Sequence, residues 1–534
     1  MQETSEDKVF EPGDLLMFGF PGRDAAALFA HFRHTGPPGG IIYFGRNAGT
    51  PDEIREINRQ VQARWSIPEQ FRPPLLVATD QEGGTVARLT QGFSVFPSNM
   101  AFGAIYAADP GKGTDMCFKA ALATAREMRD AGFNMNFAPC MDVNTNPQNP
   151  VIGTRSYSDR PDVVSELGVA AIRGMAEGGV LACAKHFPGH GDTSIDSHTG
   201  LPVQEWDEKY VSVHVEPFRR AIAAGVPAIM ASHIGFAELD IFWRPFTIPA
   251  SLSPRMLTGV LRQQMGFQGL IVTDCLEMGA VTSTYGTANA AMMAAEAGAN
   301  IVLVSHSPEL QRAVHNAMLC KMSPNTAEPA MWESRRVRMQ TGAWQAGPAS
   351  PELPRHDVLV RDTARASITV LRKTFEPAQQ GGPPLVAVPF RQGATMALEP
   401  GESPLATAIR RRIPGAQVEL YGEELPESEV GRLSRKAGRA PWVLFAASNM
   451  HLHPGQASLA RAMLEANPAF LLLDIATPYG ALALPAAPYV VSSYGHAPCQ
   501  IAAAMDVVTG ACSPEGCLPV DVPGTFRYGS GLKG

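Results

Sequence analysis

Short, nearly continuous apolar segments recur eight times in the first 306 residues, separated by polar segments with helical spacing. Strands of a parallel sheet covered on both faces show this pattern, because both sides of each strand are buried. Several of the intervening segments end in glycine, which favours helix termination. We predict strands at residues 15–20, 40–45, 74–80, 133–143, 180–187, 227–234, 269–274 and 299–306.

Eight strands alternating with helices over about 300 residues have the size and order of a (β/α)8 barrel. A doubly wound open sheet would give the same alternation, but the count of eight favours closure into a barrel. We therefore predict an α/β protein in which residues 1–345 form a TIM barrel.

A second series of apolar segments follows a polar stretch. Residues 321–362 form a polar transition rich in proline, arginine and glutamate, which we interpret as a helix plus an interdomain linker, and we place the linker at residues 346–380. Residues 381–534 are then predicted to form a separate, smaller αβα sandwich domain. Its strands are expected at residues 384–390, 416–422, 442–448, 469–476 and 489–495.

The composition is that of a globular protein, with 45% hydrophobic and 18% charged residues in 534. A formal net charge of -7 without basic clusters argues against nucleic acid and against an anionic membrane as partners. The acidic N-terminus has no signal-peptide pattern, and no apolar run reaches membrane-spanning length. Eight scattered cysteines suit free thiols, so we expect a cytoplasmic protein.

Ionisable residues stand at the ends of several predicted barrel strands: Asp80, Lys185, His186, His233 and Asp274. Any one of them could be a helix cap or a loop hydrogen-bonding group. Barrel enzymes, however, carry their active sites at the carboxyl ends of the strands. The repetition therefore predicts a catalytic site at that end.

The segment KHFPGHGDTSIDSH at residues 185–198 is the richest in such groups, and it allows three interpretations. His186, His190 and His198 could be metal ligands. Alternatively, Asp196 could fix the tautomer of His198 and make it a general acid/base. The third interpretation is a loop whose polar groups only hydrogen-bond one another.

Asp274 ends the segment GLIVTD, where a carboxylate could attack an anomeric carbon or cap the next helix. Arg155 and Lys185 supply fixed donors for sugar hydroxyls. Asp80 could bind vicinal hydroxyls or form a salt bridge with Arg88.

Four motifs together resemble glycoside hydrolase family 3, and specifically its β-N-acetylglucosaminidases. The long loop motif is the most specific of them, and a C-terminal segment, GCLPVDVPG, is similar to the end of the family's second domain. The four motifs are DQEGGTVARL (80–89), VIGTRSYSD (151–159), KHFPGHGDTSIDSH (185–198) and VTDCLEMGA (272–280).

This resemblance implies a role for each matched residue. Asp274 corresponds to the nucleophile, and His198 to the general acid/base with Asp196 as its partner. No metal and no organic cofactor are implied. The residues that would hold the sugar ring are Asp80, Arg88, Arg155, Lys185 and His186.

The expected reaction is retaining hydrolysis of terminal, non-reducing β-linked N-acetylglucosamine in peptidoglycan fragments or chitooligosaccharides. An unperturbed imidazole titrates at about pH 6.5, so His198 could act first as an acid and then as a base. We expect its loop to dock after the sugar binds. Because imidazole does not repel an anion, a phosphorylase of the same family is the alternative. A metal-dependent hydrolase and a non-catalytic sugar sensor are rivals from other classes.

The expected partner is a small carbohydrate, with a homodimer left open. The second domain could line the groove, mediate self-association or stabilise the barrel. Its histidines His451, His453 and His496 are predicted to be solvated loop residues.

Overall fold

Eight parallel strands form the first sheet in the computed structural model, which describes residues 11–65, 73–236, 247–323, 329, 331, 333–338, 356–390 and 404–533. Each strand pairs with its neighbours along the chain, and the first also pairs with the last. The strands are β1 (Leu16–Gly19), β2 (Gly40–Tyr43), β3 (Leu76–Thr79), β4 (Met135–Asn136), β5 (Leu181–Phe187), β6 (Ala228–Ala231), β7 (Leu270–Thr273) and β8 (Val302–Val304).

The sheet closes between β7 and β8. Val272 forms a parallel bridge with Ile301, and the Thr273 amide donates to the Ile301 carbonyl over 3.0 Å. Alternate side chains such as Met17 and Met230 pack inside the barrel, while their neighbours pack against the helices. The predicted TIM barrel is confirmed.

Strand β4 is shorter than the predicted 133–143, because Pro139 has no N–H to donate to a neighbouring strand. The chain nevertheless continues beside β5. The Cys183 amide donates to the Ala138 carbonyl over 2.8 Å, and the Lys185 amide donates to the Pro139 carbonyl over 3.1 Å. This path places the next carboxylate, Asp142, beside β5.

Helices cover the outside of the barrel. The helix Pro161–Gly178 begins with proline in its first turn and ends at Gly179, whose φ of 80° suits glycine. The others are Ala25–His31, Pro51–Trp65, Asn99–Ala108, Pro110–Asp130, Glu208–Tyr210, Glu216–Ala223, Gly279–Thr282, Thr287–Glu296 and Pro308–Lys321, with π-helical segments at Val211–Val215 and Arg255–Gln264.

The second domain is a six-stranded sheet with an apolar cluster on each face, as the predicted αβα sandwich requires. Five strands are parallel, and β9 is an antiparallel edge strand in the order β9-β14-β13-β12-β10-β11. They are β9 (Thr369–Lys373), β10 (Leu385–Pro389), β11 (Gln417–Tyr421), β12 (Val443–Ala447), β13 (Phe470–Asp474) and β14 (Tyr489–Ser492). The helices are Asp357–Ser367, Pro404–Arg412, Glu427–Ala437, Pro454–Ala466, Gly480–Ala483 and Pro498–Val508.

The predicted linker at 346–380 is wrong in its second half. The helix Asp357–Ser367 and strand β9 both lie inside it, and β9 pairs with β14. Its short apolar run, residues 368–371, directly follows a polar segment and does not stand out from it in the sequence. The predicted boundary at 345 lies outside the described residues.

The two domains share a packed interface. Met100, Ala101 and Ala104 of the barrel helix Asn99–Ala108 belong to an apolar cluster of the second domain. All eight cysteines are free thiols. Within the described ranges, none of the helices is long and apolar enough to cross a membrane.

Candidate active site

A buried ionic network lies where β3, β5 and the segment after β4 end. The Lys185 ammonium, only 1% exposed, lies 2.6 Å from Asp80 Oδ1 and 2.7 Å from Glu82 Oε1. Arg155 donates two hydrogen bonds to Glu82, over 2.7 and 3.0 Å. Burial lowers the pKa of Lys185, but the two carboxylates outweigh it, so its pKa lies above the usual range and the side chain stays charged.

His186 links this network to Asp142. Its Nε2 lies 3.1 Å from an Arg155 nitrogen and its Nδ1 lies 2.7 Å from Asp142 Oδ2. Because arginine can only donate, Nε2 accepts and Nδ1 carries the proton. Burial raises the pKa of Asp142, but the imidazoles of His186 and His190 outweigh it and hold that pKa below its usual range.

Arg88 does not pair with Asp80, as the alternative interpretation proposed; Asp80 pairs with Lys185. The backbone amide of Arg88 donates to Gln81 Oε1 over 2.9 Å. Its side-chain Nε is buried and has no hydrogen-bond partner among the described residues. A buried donor without a partner costs free energy, which a bound hydroxyl or water could recover.

Asp274 directly follows β7 and is partly exposed. The next helix, Gly279–Thr282, has Met278 as its N-cap residue, so Asp274 does not cap it. Burial raises the pKa of Asp274, but His233, His186, the Cys275 amide and Lys185 together bring it below its usual value. The carboxylate is therefore held ionised, as a nucleophile requires.

His233, at the end of β6, is buried close to this carboxylate. Its Nε2 lies 2.9 Å from the Cys275 carbonyl and its Nδ1 lies 2.7 Å from Ser251 Oγ. Burial lowers the pKa of His233, so the imidazole is neutral at ordinary pH. It therefore fixes the backbone immediately after Asp274.

His198 and Asp196 form a hydrogen-bonded pair on the loop after β5. The Nδ1 of His198 lies 2.7 Å from Asp196 Oδ1, and the His198 amide donates to the same oxygen over 2.8 Å. The imidazole is 64% exposed. Its second nitrogen, Nε2, is therefore accessible to a substrate.

The backbone of this loop rests on the turn that follows Asp274. The Gly279 amide donates to the His198 carbonyl and the Ala280 amide to the Ser197 carbonyl, both over 3.1 Å. A Cβ at Gly279 would lie 2.6 Å from the His198 carbonyl oxygen, so glycine permits this close approach. The loop backbone therefore packs against the turn after Asp274, and the His198 side chain projects from it; docking of the loop after sugar binding stays a prediction.

The three histidines of the metal-site interpretation are not brought together as a ligand set among the described residues. Both ring nitrogens of His190 contact hydroxyl groups, Thr193 Oγ1 at 2.7 Å and Ser197 Oγ at 3.0 Å. His198 is held by Asp196 instead.

Within the described ranges, one group could hold a metal ion: Cys140, Asp142 and His186. Asp142 already accepts hydrogen bonds from the other two, over 3.0 and 2.7 Å, and the Arg155 cation lies against His186. A divalent cation would have to displace these protons beside a fixed positive charge, so the residues fit a metal poorly.

Sequence reasoning missed Glu82 and Asp142. Both were visible in quoted segments, Glu82 in DQEGG and Asp142 at the end of the fourth apolar run. Their importance follows from their partners: Glu82 lies between Lys185 and Arg155. No spacing in the sequence connects Glu82 and Asp142 with the residues that they contact in the fold.

The carboxyl end of this (β/α)8 barrel carries an ionised carboxylate, an exposed imidazole and buried cations. These features together are typical of barrel enzymes that act on sugars. Residues 24–327 match the glycosyl hydrolase family 3 N-terminal domain. The chain belongs to glycosyl hydrolase family 3 and is a glycoside hydrolase.

Similar proteins include beta-hexosaminidase A of Pseudoalteromonas piscicida, 38% identical over half of this chain and 45% of its own length. Beta-hexosaminidase of Xylella fastidiosa (strain M23) is 33% identical over 59% of this chain and 89% of its own. The structure of a family 3 beta-N-acetylglucosaminidase from Paenibacillus sp. str. FPU-7 has a TM-score of 0.84 and 34% identity, covering 97% of this chain and 99% of the other. The two-domain arrangement is thus shared with a solved structure.

Proposed function

We propose that this protein is a retaining exo-β-N-acetylglucosaminidase, with Asp274 as nucleophile and His198 as general acid/base. The observation that carries the proposal is the contact between the loop of His198 and the turn after Asp274. It brings an imidazole and an ionised carboxylate to the same end of the barrel. Relatives named beta-hexosaminidase and beta-N-acetylglucosaminidase support the same sugar.

In the proposed mechanism Asp274 attacks the anomeric carbon while protonated His198 gives its proton to the leaving oxygen. The bond to the leaving group breaks as the Asp274–sugar bond forms. Neutral His198 then takes a proton from water, which attacks the glycosyl-enzyme and releases the sugar with its β-configuration kept. Asp196 holds Nδ1 of the imidazole, so Nε2 makes both proton transfers.

We assign Asp80, Arg88, Arg155, Lys185 and His186 to sugar binding in two ranks. Asp80 and Arg155 are partly exposed, with 18% and 17% of their side chains accessible, and they can bind hydroxyl groups directly. Arg88 joins them, because its Nε has no hydrogen-bond partner among the described residues. Lys185 and His186 are buried and already bonded on each side, so they would mainly orient the other three.

The test compares Asp274→Asn with a control carboxylate variant, Asp207→Asn, which removes an exposed helix N-cap. With an aryl β-N-acetylglucosaminide, Asp274→Asn should lose about 10³-fold or more in kcat, and the control should keep nearly full activity. Proton NMR of the first product should show the β-anomer. An active Asp274→Asn enzyme, or an initial α-anomer, would refute the proposed mechanism.

Hydrolysis is separated from phosphorolysis by product analysis in phosphate buffer. The imidazole acid/base carries no negative charge that would repel phosphate, so the alternative deserves a direct measurement. We expect free N-acetylglucosamine as the main product. N-acetylglucosamine 1-phosphate as the main product would make the enzyme a phosphorylase.

We also propose a cytoplasmic enzyme that acts on peptidoglycan fragments, with chitooligosaccharides as the alternative substrate. The acidic charge balance and eight free thiols support this location. Comparing kcat/KM for a muropeptide and for chitobiose decides between the two substrates. A higher value for chitobiose would favour chitin fragments.

A further inference from the structure

The segment of residues 142–160, after β4, lies between the second domain and the loop that carries His198. We propose that the second domain braces the acid/base loop through this segment, and that His451 is the positioning residue that makes the contact. The inference rests on the proposed function, because it concerns how His198 is held. It assigns the second domain a part in catalysis.

The first set of contacts joins the second domain to the barrel. His451 Nε2 lies 2.7 Å from the Pro147 carbonyl oxygen, and its ring packs edge-on against Tyr479 with the centroids 5.2 Å apart. The Tyr479 hydroxyl in turn accepts from Asn144 Nδ2 over 2.9 Å. His451 is therefore not a solvated loop residue, as the sequence suggested, but an interface residue.

The position of His451 is itself fixed by the carboxyl ends of β12 and β13. Asn449 adopts a left-handed conformation, with φ of 47°, at the start of the turn Met450–Leu452. Its Oδ1 accepts from the Thr477 hydroxyl over 2.7 Å and from the Thr477 amide over 3.2 Å. The two loops of the second domain thus reach the barrel as one unit.

The second set of contacts joins the segment 142–160 to the loop after β5. Asn149 Nδ2 donates to the His190 carbonyl over 2.8 Å and to Thr193 Oγ1 over 3.2 Å. Thr145 Oγ1 donates to Asp192 Oδ1 over 2.7 Å. A Cβ at Gly191 would lie 1.8 Å from the Val143 carbonyl oxygen, so the two backbones touch.

The last set of contacts reaches His198. The Nε2 of His190 lies 3.0 Å from Ser197 Oγ, and Ser197 directly precedes His198. A displacement of Pro147 would therefore pass through Asn149 and His190 to the acid/base. Small displacements of this kind matter, because proton transfer requires hydrogen-bond distance to the leaving oxygen.

The chemistry of the interface suits a positioning role better than a purely stabilising one. His451 Nδ1 and Asn144 Oδ1 are both buried without a hydrogen-bond partner among the described residues. Such groups cost free energy, and apolar side chains would fill the interface more stably. What the imidazole provides is a directed donor to one carbonyl oxygen, that of Pro147.

The experiment compares His451→Ala, His451→Gln and His453→Ala in the full-length enzyme. Glutamine can present an N–H to Pro147. The side chain of His453 makes no hydrogen bond to the barrel in the part of the chain described, which makes it a matched control. For each variant kcat/KM is measured with chitobiose, a poor leaving group, and with a dinitrophenyl glycoside, which needs no protonation.

For His451→Ala we expect about a tenfold loss with chitobiose and less than about a twofold loss with the dinitrophenyl glycoside. His451→Gln should recover most of the loss, and His453→Ala should match the wild type. Equal losses on both substrates, or no loss on either, would overturn the proposal.

His198→Ala, measured with the same two substrates, separates the two hypotheses. A selective loss with chitobiose in His198→Ala but not in His451→Ala would overturn the bracing role alone. If His198→Ala shows no selectivity, the proposed acid/base itself is wrong.

Discussion

The buried imidazole of His190 predicts a specific dependence of stability on pH. Burial lowers its pKa from the model-compound value of 6.5 to about 4. Thr193 Oγ1 donates to the His190 carbonyl and accepts from Nδ1, so Nε2 must accept from the Ser197 hydroxyl. Protonation at Nε2 would break that arrangement next to His198.

The direction in which pH changes the stability follows from proton binding to His190. The unfolded chain binds a proton at this residue near pH 6.5 and the folded protein does so only near pH 4, so acidification favours unfolding. The stabilisation by neutral His190 is complete above about pH 6.5 and is lost as the pH falls towards 4. At about 1.4 kcal/mol per pH unit between the two pKa values, acidification from pH 7 to pH 5 removes about 2 kcal/mol.

The assay is urea unfolding at pH 7 and pH 5 for the wild type, His190→Gln and a surface control, His34→Gln. Glutamine keeps one polar contact but does not titrate. The loss of stability between the two pH values should be about 2 kcal/mol smaller in His190→Gln than in the wild type. If the wild type and His190→Gln lose the same amount of stability between the two pH values, His190 is not the titrating group. The control His34→Gln should lose as much stability as the wild type.

Three further predictions concern the site. Lys185→Met removes the buried cation that Asp80 and Glu82 share, and should destabilise the protein by about 3–5 kcal/mol in thermal or urea unfolding. An unchanged stability would contradict the network. Asp196→Asn removes an exposed ion pair with His198, so the free energy of unfolding should change by less than about 1 kcal/mol. The kcat/KM for chitobiose should fall about 10²-fold. A loss of stability without a loss of kcat/KM would show that Asp196 is a structural residue and not the partner of the acid/base. Dialysis against a chelator should leave kcat unchanged, and a loss that zinc restores would favour a metal-dependent hydrolase.

The barrel was predictable because its signal is local. Eight apolar segments at regular intervals define parallel strands buried on both faces, and the strand bounds differ little from those predicted. The exceptions have local causes as well. Pro139 shortens β4, and the apolar run of β9 directly follows a polar segment that resembles a linker.

The site was predictable in part. Residues at strand ends were found because the carboxyl ends of parallel strands converge in a barrel. Their partners were not found, because a carboxylate such as Asp142 acquires its role only from groups that approach from other strands. The solvated state predicted for His451 was wrong for the same reason: its partner, Pro147, is 304 residues away in the chain.

The sequence by itself determined the barrel, the second α/β domain and the positions of Asp274 and His198 at one end of the strands. These features depend on apolar periodicity and on residues close together in the chain. Tertiary structure alone decided which charges are compensated, which imidazoles are neutral and how the second domain touches the catalytic loop. Electrostatic and hydrogen-bond energies depend on distance and burial, and residues far apart in sequence acquire those only when the chain has folded.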